Sequence, residues 1–195
     1  MDEIRKVYPS LFTLDEAYDF GIETANDLAR NMNGQLGCFP NDMGILAQCI
    51  KNAGDGDYLE IGTYYGATAI LASLTKKEFG LRGKVHAIDD LVFESRSAAD
   101  IMNNIEKFGA DVRLKVSKSN PFPMPGHYFS CVFIDAGHDF YNCWTDWLNV
   151  RRRTSKYVIF HDYDLKHREV MEVVNRADFY PVRISDNTAV LELIV

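Results

Sequence analysis

The sequence predicts an α/β protein: a doubly wound, mostly parallel seven-stranded sheet with helices on both faces and an antiparallel C-terminal hairpin. Two patterns predict this fold class. From residue 57 onward, short apolar runs of strand length alternate with longer segments whose apolar residues recur at helical spacing, as in sheets joined by right-handed crossovers. The last two strand-like runs are joined by the short turn Asp186-Asn187, which favours antiparallel pairing.

Caps and glycine stops assign the elements in chain order. Residues 1–40 contain helices joined by the Gly-rich bend "NGQLGCFPND", and Asn41 or Asp42 is expected to cap the next helix, which ends at Gly54. The expected strands are "DYLEIG", "KVHAID", "DVRLKVS", "FSCVFID", "KYVIFHD", "FYPVRIS" and "TAVLELIV". The expected helices between them are "GATAILASLTKKEFG", "SRSAADIMNNIEKFG" with Ser95 or Ser97 as cap, "DFYNCWTDWLNVRRR" and "LKHREVMEVVNRA".

The chain length sets the domain organisation. With 195 residues, there is enough chain for one domain with a full core and too little for two comfortable ones. We expect residues 41–195 to form that domain. Residues 1–40 are expected to form a helical lid or arm, which either completes a ligand pocket or supports a homodimer.

Composition and charge exclude several classes of function. The net charge is −7, whereas non-specific nucleic-acid binding needs a basic surface that displaces counterions. No apolar run is long enough to cross a membrane, so neither nucleic acid nor membrane is an expected partner. The four cysteines have no C-x-x-C spacing, which favours reduced thiols and a cytoplasmic location.

Polar residues follow each of the first five expected strands after the apolar run ends. In a doubly wound sheet the carboxyl ends of parallel strands share one edge, and ligands bind there near the point where strand order reverses. A ligand site is therefore expected at residues 61–65, 89–90, 117–120, 135–139 and 161–164.

The first of these junctions, "YLEIGTYYGATAIL", favours a cationic ligand without phosphate. Gly62 lets the backbone turn tightly against a ligand, and Gly66 lets the next helix pack near the strand. A dinucleotide-binding turn would read Gly-x-Gly-x-x-Gly. Here Glu60 stands in place of the first glycine, and Tyr64 and Tyr65 crowd the position of a pyrophosphate.

The motifs "LEIGTYYGAT", "HAID", "VFIDAGHDFYNCWTDW" and "VIFHDYD" together resemble the class I S-adenosylmethionine-dependent methyltransferases. Within that class they look like the small-molecule O-methyltransferase branch that includes macrocin-type and catechol-type enzymes. The resemblance covers roughly residues 40–165, most of a domain of this size. It implies a Rossmann-like sheet, S-adenosylmethionine as cofactor, and methyl transfer to a small-molecule acceptor, at a hydroxyl oxygen.

The resemblance also implies roles for individual residues. The methionine end of the cofactor would lie on the glycine turn, the ribose on the acid that ends the second strand, and the adenine beyond the third strand. Asp135 would face the reactive centre. The cofactor-binding residues implied are Glu60, Gly62, Thr63, Tyr64, Gly66, Asp89, Ser119 and Asp135.

Two routes for removing the acceptor's proton stay open. In the first, His138 or His161 acts as general base, because the ordinary pKa of histidine lies near neutral pH. In the second, Asp135 and Asp162, together with His161 or Asp164, hold a Mg²⁺ ion that lowers the pKa of a bound hydroxyl.

Two other classes of function also remain open. A binding module or regulatory subunit could keep the fold without catalysis, since fold does not determine function. A nicotinamide-dependent oxidoreductase is disfavoured, because the chain lacks Gly-x-Gly-x-x-Gly at the first junction and an obvious Tyr-x-x-x-Lys pair.

Overall fold

The computed structural model describes residues 14–93, 96–177, 181–184 and 187–193, and its seven strands form one sheet. The strand order is β3-β2-β1-β4-β5-β7-β6. The first five strands in this order pair in parallel, and β7 pairs antiparallel with both β5 and β6. The fold class expected from the sequence is therefore confirmed. The strands are β1 (Tyr58–Ile61), β2 (Val85–Asp89), β3 (Val112–Val116), β4 (Phe129–Ile134), β5 (Thr154–His161), β6 (Pro181–Ile184) and β7 (Thr188–Glu192).

Helices cover both faces of the sheet. Tyr58 of β1 packs in a core with residues of the first four helices, whereas its neighbour Leu59 packs on the opposite face with the last two. This alternation follows from the two-residue period of a strand. Strands β1, β2 and β4 are buried throughout, as expected for parallel strands covered on both sides. The helices are α1 (Glu16–Asn31), α2 (Pro40–Ala53), α3 (Ala67–Glu78), α4 (Ala98–Lys107), α5 (Phe140–Val150) and α6 (Arg168–Arg176).

Helix α2 begins earlier than its expected caps allow. Pro40 occupies the first helical position, where proline fits because its missing N–H would have no intrahelical partner. Asn41 and Asp42 therefore lie inside the first turn, and the expectation that one of them caps the helix is wrong. Asp42 is instead buried, and its Oδ1 accepts a hydrogen bond from the Thr188 hydroxyl at 2.8 Å.

The other termini agree with the sequence at some positions and differ at others. Ser97 caps α4 in a reciprocal capping box with Asp100, while the alternative cap Ser95 lies outside the described residues, as does Asp186 of the expected hairpin turn. Helix α5 is capped by Asp139, so Asp135 has no capping role. The helix ends at Val150, and residues 151–153 form a turn rather than the expected last helical turn.

All four cysteines are free and buried, as expected. Within the described part of the chain, no helix combines the length and the apolar character needed to span a bilayer.

Asn104 on α4 ties the bend before α2 to the turn after β1. Its side chain is fully buried. Its Oδ1 accepts the amide hydrogen of Asn33 at 2.9 Å, and its Nδ2 donates to the carbonyl oxygens of Asn33 and Tyr65 at 2.9 and 3.0 Å. One side chain thus fixes two loops that are far apart in the sequence.

We expect Asn104→Ala to lower the free energy of unfolding by about 2 kcal/mol, because backbone groups of Asn33 and Tyr65 lose their partners. The matched control is Asn103→Ala, at an exposed position of the same helix, which should change stability by less than about 0.5 kcal/mol. Urea denaturation of both variants measures the difference, and equal losses would contradict the anchoring role.

Candidate functional site

A cavity of about 900 Å³ opens at the carboxyl ends of β1, β2, β3 and β4. This is the edge where strand order reverses, since β2 and β4 flank β1 and their connections run to opposite sides. Residues that follow all four strands line the cavity, and Gln35 and Gly37 of the bend before α2 reach it as well. The cavity lining includes residues of all five stretches where the sequence predicts a ligand site, and ligand binding there stays a prediction.

The turn after β1 requires glycine at position 62. Gly62 has φ +85°, and a Cβ added there would lie 2.1 Å from the carbonyl oxygen of Asp135. The amide of Gly62 donates to Ile88 of β2 at 2.8 Å, and the amide of Asp135 donates to Ile61 at 2.8 Å. The turn is therefore pressed between the ends of β2 and β4. Gly66 ends the turn as the N-cap of α3.

Glu60 and Thr63 are buried beneath the turn, on the side away from the cavity, and do not line it. The Glu60 side chain is 0% exposed. It accepts hydrogen bonds from the Thr63 hydroxyl at 2.5 Å and from the Tyr58 hydroxyl at 3.1 Å. Burial raises the pKa of Glu60 to about 7, against the lowering effect of these hydroxyls. The expected direct contact of Glu60 and Thr63 with a cofactor stays a prediction.

Asp89 reaches the cavity wall, but its carboxylate is occupied by donors of the protein. Oδ2 accepts the amide hydrogens of Thr63 and Tyr64 at 2.9 and 3.1 Å. Oδ1 accepts the amide hydrogen of Leu91 at 2.7 Å and a guanidinium hydrogen of Arg96 at 2.6 Å. A carboxylate offers about four lone-pair sites, so Asp89 has none left for a ribose in this arrangement.

Arg96 is a residue at the site that the sequence reading did not assign, and Asp90, inside the expected stretch 89–90, was given no individual role. The ion pair of Arg96 with Asp89 is buried, with both side chains 3% exposed, and the guanidinium lies over the Tyr64 ring. Asp90 lines the cavity with an exposed side chain, and its Oδ1 accepts the amide hydrogen of Val92 at 3.1 Å. Arg96 lies in a loop whose sequence follows no helix or strand pattern. The sequence therefore gives no indication that Arg96 pairs with Asp89.

The far end of the cavity holds a buried acid. Asp146 of α5 is 1% exposed, and it lines the cavity with Ser119 and Asn120. Among the described residues, no donor meets either Asp146 oxygen in hydrogen-bonding geometry. Burial raises the pKa of its carboxyl to about 6, against the lowering influence of the Ser119 side chain. In the sequence, Asp146 lies within the expected helix "DFYNCWTDWLNVRRR", and its position at the cavity was missed.

At the opposite end, Asp135, His138 and Asp162 line the cavity together. Nε2 of His138 lies 2.8 Å from Oδ2 of Asp162 and 3.7 Å from Oδ1 of Asp135. The two carboxylates raise the pKa of His138 to about 9. Burial alone would raise the pKa of Asp162, but the imidazoles of His138 and His161 hold it well below its usual range.

His161 lies behind this group and does not line the cavity. It is 3% exposed, with Nδ1 at 3.2 Å from Oδ1 of Asp135 and Nε2 at 3.3 Å from Nδ2 of Asn187. Burial alone would lower the pKa of His161, but Cys38 and Asp135 raise it. Its assignment as general base stays a prediction.

The expected Mg²⁺ ligands Asp135, His161 and Asp162 do not form a free donor set. Both ring nitrogens of His161 face side chains of the protein, and Oδ1 of Asp135 is taken up by the same ring. Mg²⁺ requires six ligands, nearly all oxygen, and these residues do not fit it.

Comparison with known proteins adds independent findings. The profile of the family described as "Methyltransferase domain" matches residues 59–163. Among solved structures, the O-methyltransferase TomG from Streptomyces achromogenes, involved in tomaymycin synthesis and in complex with SAM, superposes with a TM-score of 0.63 at 16% identity, covering 93% of this chain and 92% of that chain. An O-methyltransferase from Bacillus cereus in complex with SAH gives 0.61 at 14% identity, with coverage of 94% and 93%. No curated protein sequence matches this chain.

We expect Gly62→Ala to lower the free energy of unfolding by at least about 3 kcal/mol, because the methyl group would overlap the Asp135 carbonyl. The control is Gly109→Ala, where φ is also positive but a Cβ meets nothing within 4 Å; it should cost about 1 kcal/mol. Chemical denaturation of both variants separates steric overlap from backbone strain. Equal losses would show that the close approach to β4 is not required.

Proposed function

The chain belongs to the Methyltransferase domain family, and from this membership we propose that it transfers the methyl group of S-adenosylmethionine to a hydroxyl oxygen of a small molecule. The observation that carries the proposal is the acidic cavity at the reversal of strand order. Its walls hold five aspartates, Asp89, Asp90, Asp135, Asp146 and Asp162. A sulfonium and an ammonium group complement such walls, whereas a pyrophosphate is repelled by them.

The cavity walls suggest an orientation for the cofactor. The methionine end lies against the turn at Gly62, where no side chain intervenes. The ribose lies at the end of β2, where Asp90 offers a carboxylate to its hydroxyls. The adenine lies between Ser119 and Asp146, since a buried carboxyl whose oxygens are not fully satisfied can accept a hydrogen bond from an exocyclic amino group.

This orientation leaves the methyl group facing Asp135, His138 and Asp162. In the transfer the sulfur–methyl bond breaks as the oxygen–methyl bond forms, and the acceptor's hydroxyl proton passes to a carboxylate oxygen of this group. His138 does not accept it at neutral pH, because a pKa of about 9 leaves its imidazole protonated. The sulfonium is already activated. The protein therefore contributes by aligning the hydroxyl oxygen with the methyl group and sulfur, by excluding water, and by accepting the hydroxyl proton.

The acceptor is a small molecule rather than nucleic acid. A cavity of about 900 Å³ lies near the upper end of the range of ligand pockets, so it leaves room for an acceptor beside the cofactor. The net charge of −7 opposes binding to a polyanion. The bend that contains Gln35 and Gly37 serves as part of a lid, and the free cysteines fit a reducing, cytoplasmic compartment.

Titration calorimetry with S-adenosylhomocysteine and, separately, with NAD tests the proposed function on the full chain. We expect S-adenosylhomocysteine to bind at least about tenfold more tightly than NAD, because it lacks the pyrophosphate that the acidic walls repel. Preferential binding of NAD would favour an oxidoreductase. Binding of neither would favour a non-catalytic binding module, and either outcome would overturn the proposal.

A pair of isosteric variants tests the ribose position. We expect Asp90→Asn to weaken S-adenosylhomocysteine binding about tenfold, or about 1.4 kcal/mol, with no change in melting temperature. Asp89→Asn should instead lower the melting temperature, because its amide cannot accept from Thr63, Tyr64, Leu91 and Arg96 together. If Asp89→Asn stays stable but loses the ligand, then Asp89 contacts the ribose and Arg96 must move.

A further inference from the structure

We propose that Arg151, Arg152 and Tyr128 form a binding site for a phosphate monoester that carries a planar ring, such as a nucleoside monophosphate. The site is a second pocket, of about 550 Å³, at the edge of the sheet where β1, β4 and β5 begin. The cavity described above lies at the opposite edge, where these strands end. The proposal goes beyond methyl transfer, because none of the residues that line this pocket lines the cavity.

Three chain segments build this second pocket and are bonded to one another. They are residues 55–56 before β1, 128–130 at the start of β4, and 151–155 between α5 and β5. The amide of Phe129 donates to the carbonyl oxygen of Arg153 at 2.7 Å, and the amide of Ser130 donates to that of Asp57 at 2.7 Å. The walls are therefore held in place before a ligand binds, which lowers the entropic cost of binding.

The run of three arginines after α5 divides into two roles. Cations are favoured beside the carbonyl end of a helix, and Arg153 fills that role. Its Nε donates to the carbonyl oxygen of Asn149 at 3.2 Å, and its guanidinium lies over the Phe122 ring. Among the described residues, the guanidinium groups of Arg151 and Arg152 form no hydrogen bond or ion pair. Both line the pocket, so they can bind an anion there without losing a protein partner.

The second pocket is positively charged, although the net charge of the chain is −7. Asp55 is the one acid among its described lining residues. Its Oδ2 lies 2.6 Å from the Arg82 guanidinium, and its Oδ1 accepts the amide hydrogen of Arg82 at 2.8 Å. The charge of Asp55 is therefore balanced by Arg82, and the three arginines of the lining leave an excess of positive charge that attracts an anion.

The donor groups favour a terminal phosphate. A guanidinium is a planar fork of donors that matches two oxygens of one phosphate group. Two such groups suit a phosphate monoester, which carries a charge of about −1.5 to −2 at neutral pH. The hydroxyl groups of Ser130 and Ser155 already donate to backbone carbonyl oxygens, so the arginines supply the donors. NAD has no terminal phosphate and is not the expected ligand of this pocket.

Tyr128 supplies an aromatic face beside the arginines. Its side chain lines the pocket and is 71% exposed, and its ring contacts no other ring or cation among the described residues. Planar bases stack on such a ring whatever their hydrogen-bonding groups. The volume of the pocket falls within the range of small-molecule sites, which accommodates one nucleoside monophosphate.

Titration calorimetry of the full chain with AMP, with adenosine and with inorganic phosphate tests the proposal. We expect one AMP per chain, bound at least about tenfold more tightly than adenosine or phosphate, because only AMP contacts both the arginines and Tyr128. AMP that binds no more tightly than phosphate would overturn the proposal. Displacement of AMP by S-adenosylhomocysteine would place it in the cavity, and tighter binding of a short single-stranded RNA would indicate a nucleic-acid surface; either result would also overturn it.

Variants of the lining residues identify the contacts. Arg151→Gln and Arg152→Gln should each weaken AMP binding at least about tenfold and leave S-adenosylhomocysteine binding unchanged. The matched control, Arg113→Gln, removes an exposed arginine of β3 that does not line the pocket, and it should bind AMP as the parent chain does. Circular dichroism checks that each variant is folded. Unchanged AMP affinity in folded Arg151→Gln and Arg152→Gln would overturn the assignment, whatever the result for S-adenosylhomocysteine.

A second pair of variants separates stacking from charge. Tyr128→Ala should weaken AMP binding at least about fivefold without changing the affinity for inorganic phosphate, whereas Tyr128→Phe keeps the ring and should bind AMP as the parent chain does. Equal losses of AMP and phosphate affinity in Tyr128→Ala would overturn the role of the ring.

Discussion

The contact of the turn at Gly62 with the start of the β4–α5 loop is the constraint on which the site depends. With a Cβ-to-carbonyl distance of only 2.1 Å for any larger residue at position 62, β1 and β4 can be adjacent in parallel only with glycine there. The chain after β1 bonds to β2 through the Gly62 amide and the Ile88 carbonyl, and the chain after β4 contacts β5 through Asp135 and His161. The cavity exists because the two loops separate from that point, and Asp89 fixes the first of them by accepting two of its amide hydrogens.

The sequence reveals those parts of the fold that local chemistry determines. The alternation of strands and helices, the glycine turn and the Ser97 cap each depend on residues close together in the chain, and the structure agrees with all three. The start of α2 was misjudged because two rules competed. Asn41 and Asp42 are good capping residues, but Pro40 is better placed at the first helical position, and Asp42 finds its partner in Thr188, far along the chain.

The site was predictable in position but only partly in its contacts. The carboxyl ends of β1 to β5 were identified, because apolar runs that stop at polar residues are visible locally. The partners of those residues were not visible in the sequence, since they come from other segments. Arg96 pairs with Asp89 from a loop. The ring of His167, just before α6, contacts the ring of His138, which lies shortly before α5. The same reason explains why Asp146 was not predicted as a site residue, because helical spacing does not show that its carboxyl lines the cavity.

Charge balance explains why the proposed cofactor suits this cavity. Aspartates line the cavity, and a buried carboxylate is stable only where a cation or hydrogen-bond donors compensate it. Asp89 is compensated within the protein by Arg96 and backbone amides, whereas Asp146 has no donor in hydrogen-bonding geometry among the described residues. In the proposed orientation, the sulfonium and ammonium of the methyl donor would supply positive charge along the middle of the cavity, and its adenine amino group would supply a donor to Asp146. Asp162 is compensated within the protein, since Nε2 of His138 lies 2.8 Å from its Oδ2 and Nδ2 of Asn187 donates to its Oδ1 at 3.0 Å. The acceptor would then enter beside Asp135 and His138, where the sulfonium is the positive charge that the protein does not itself supply.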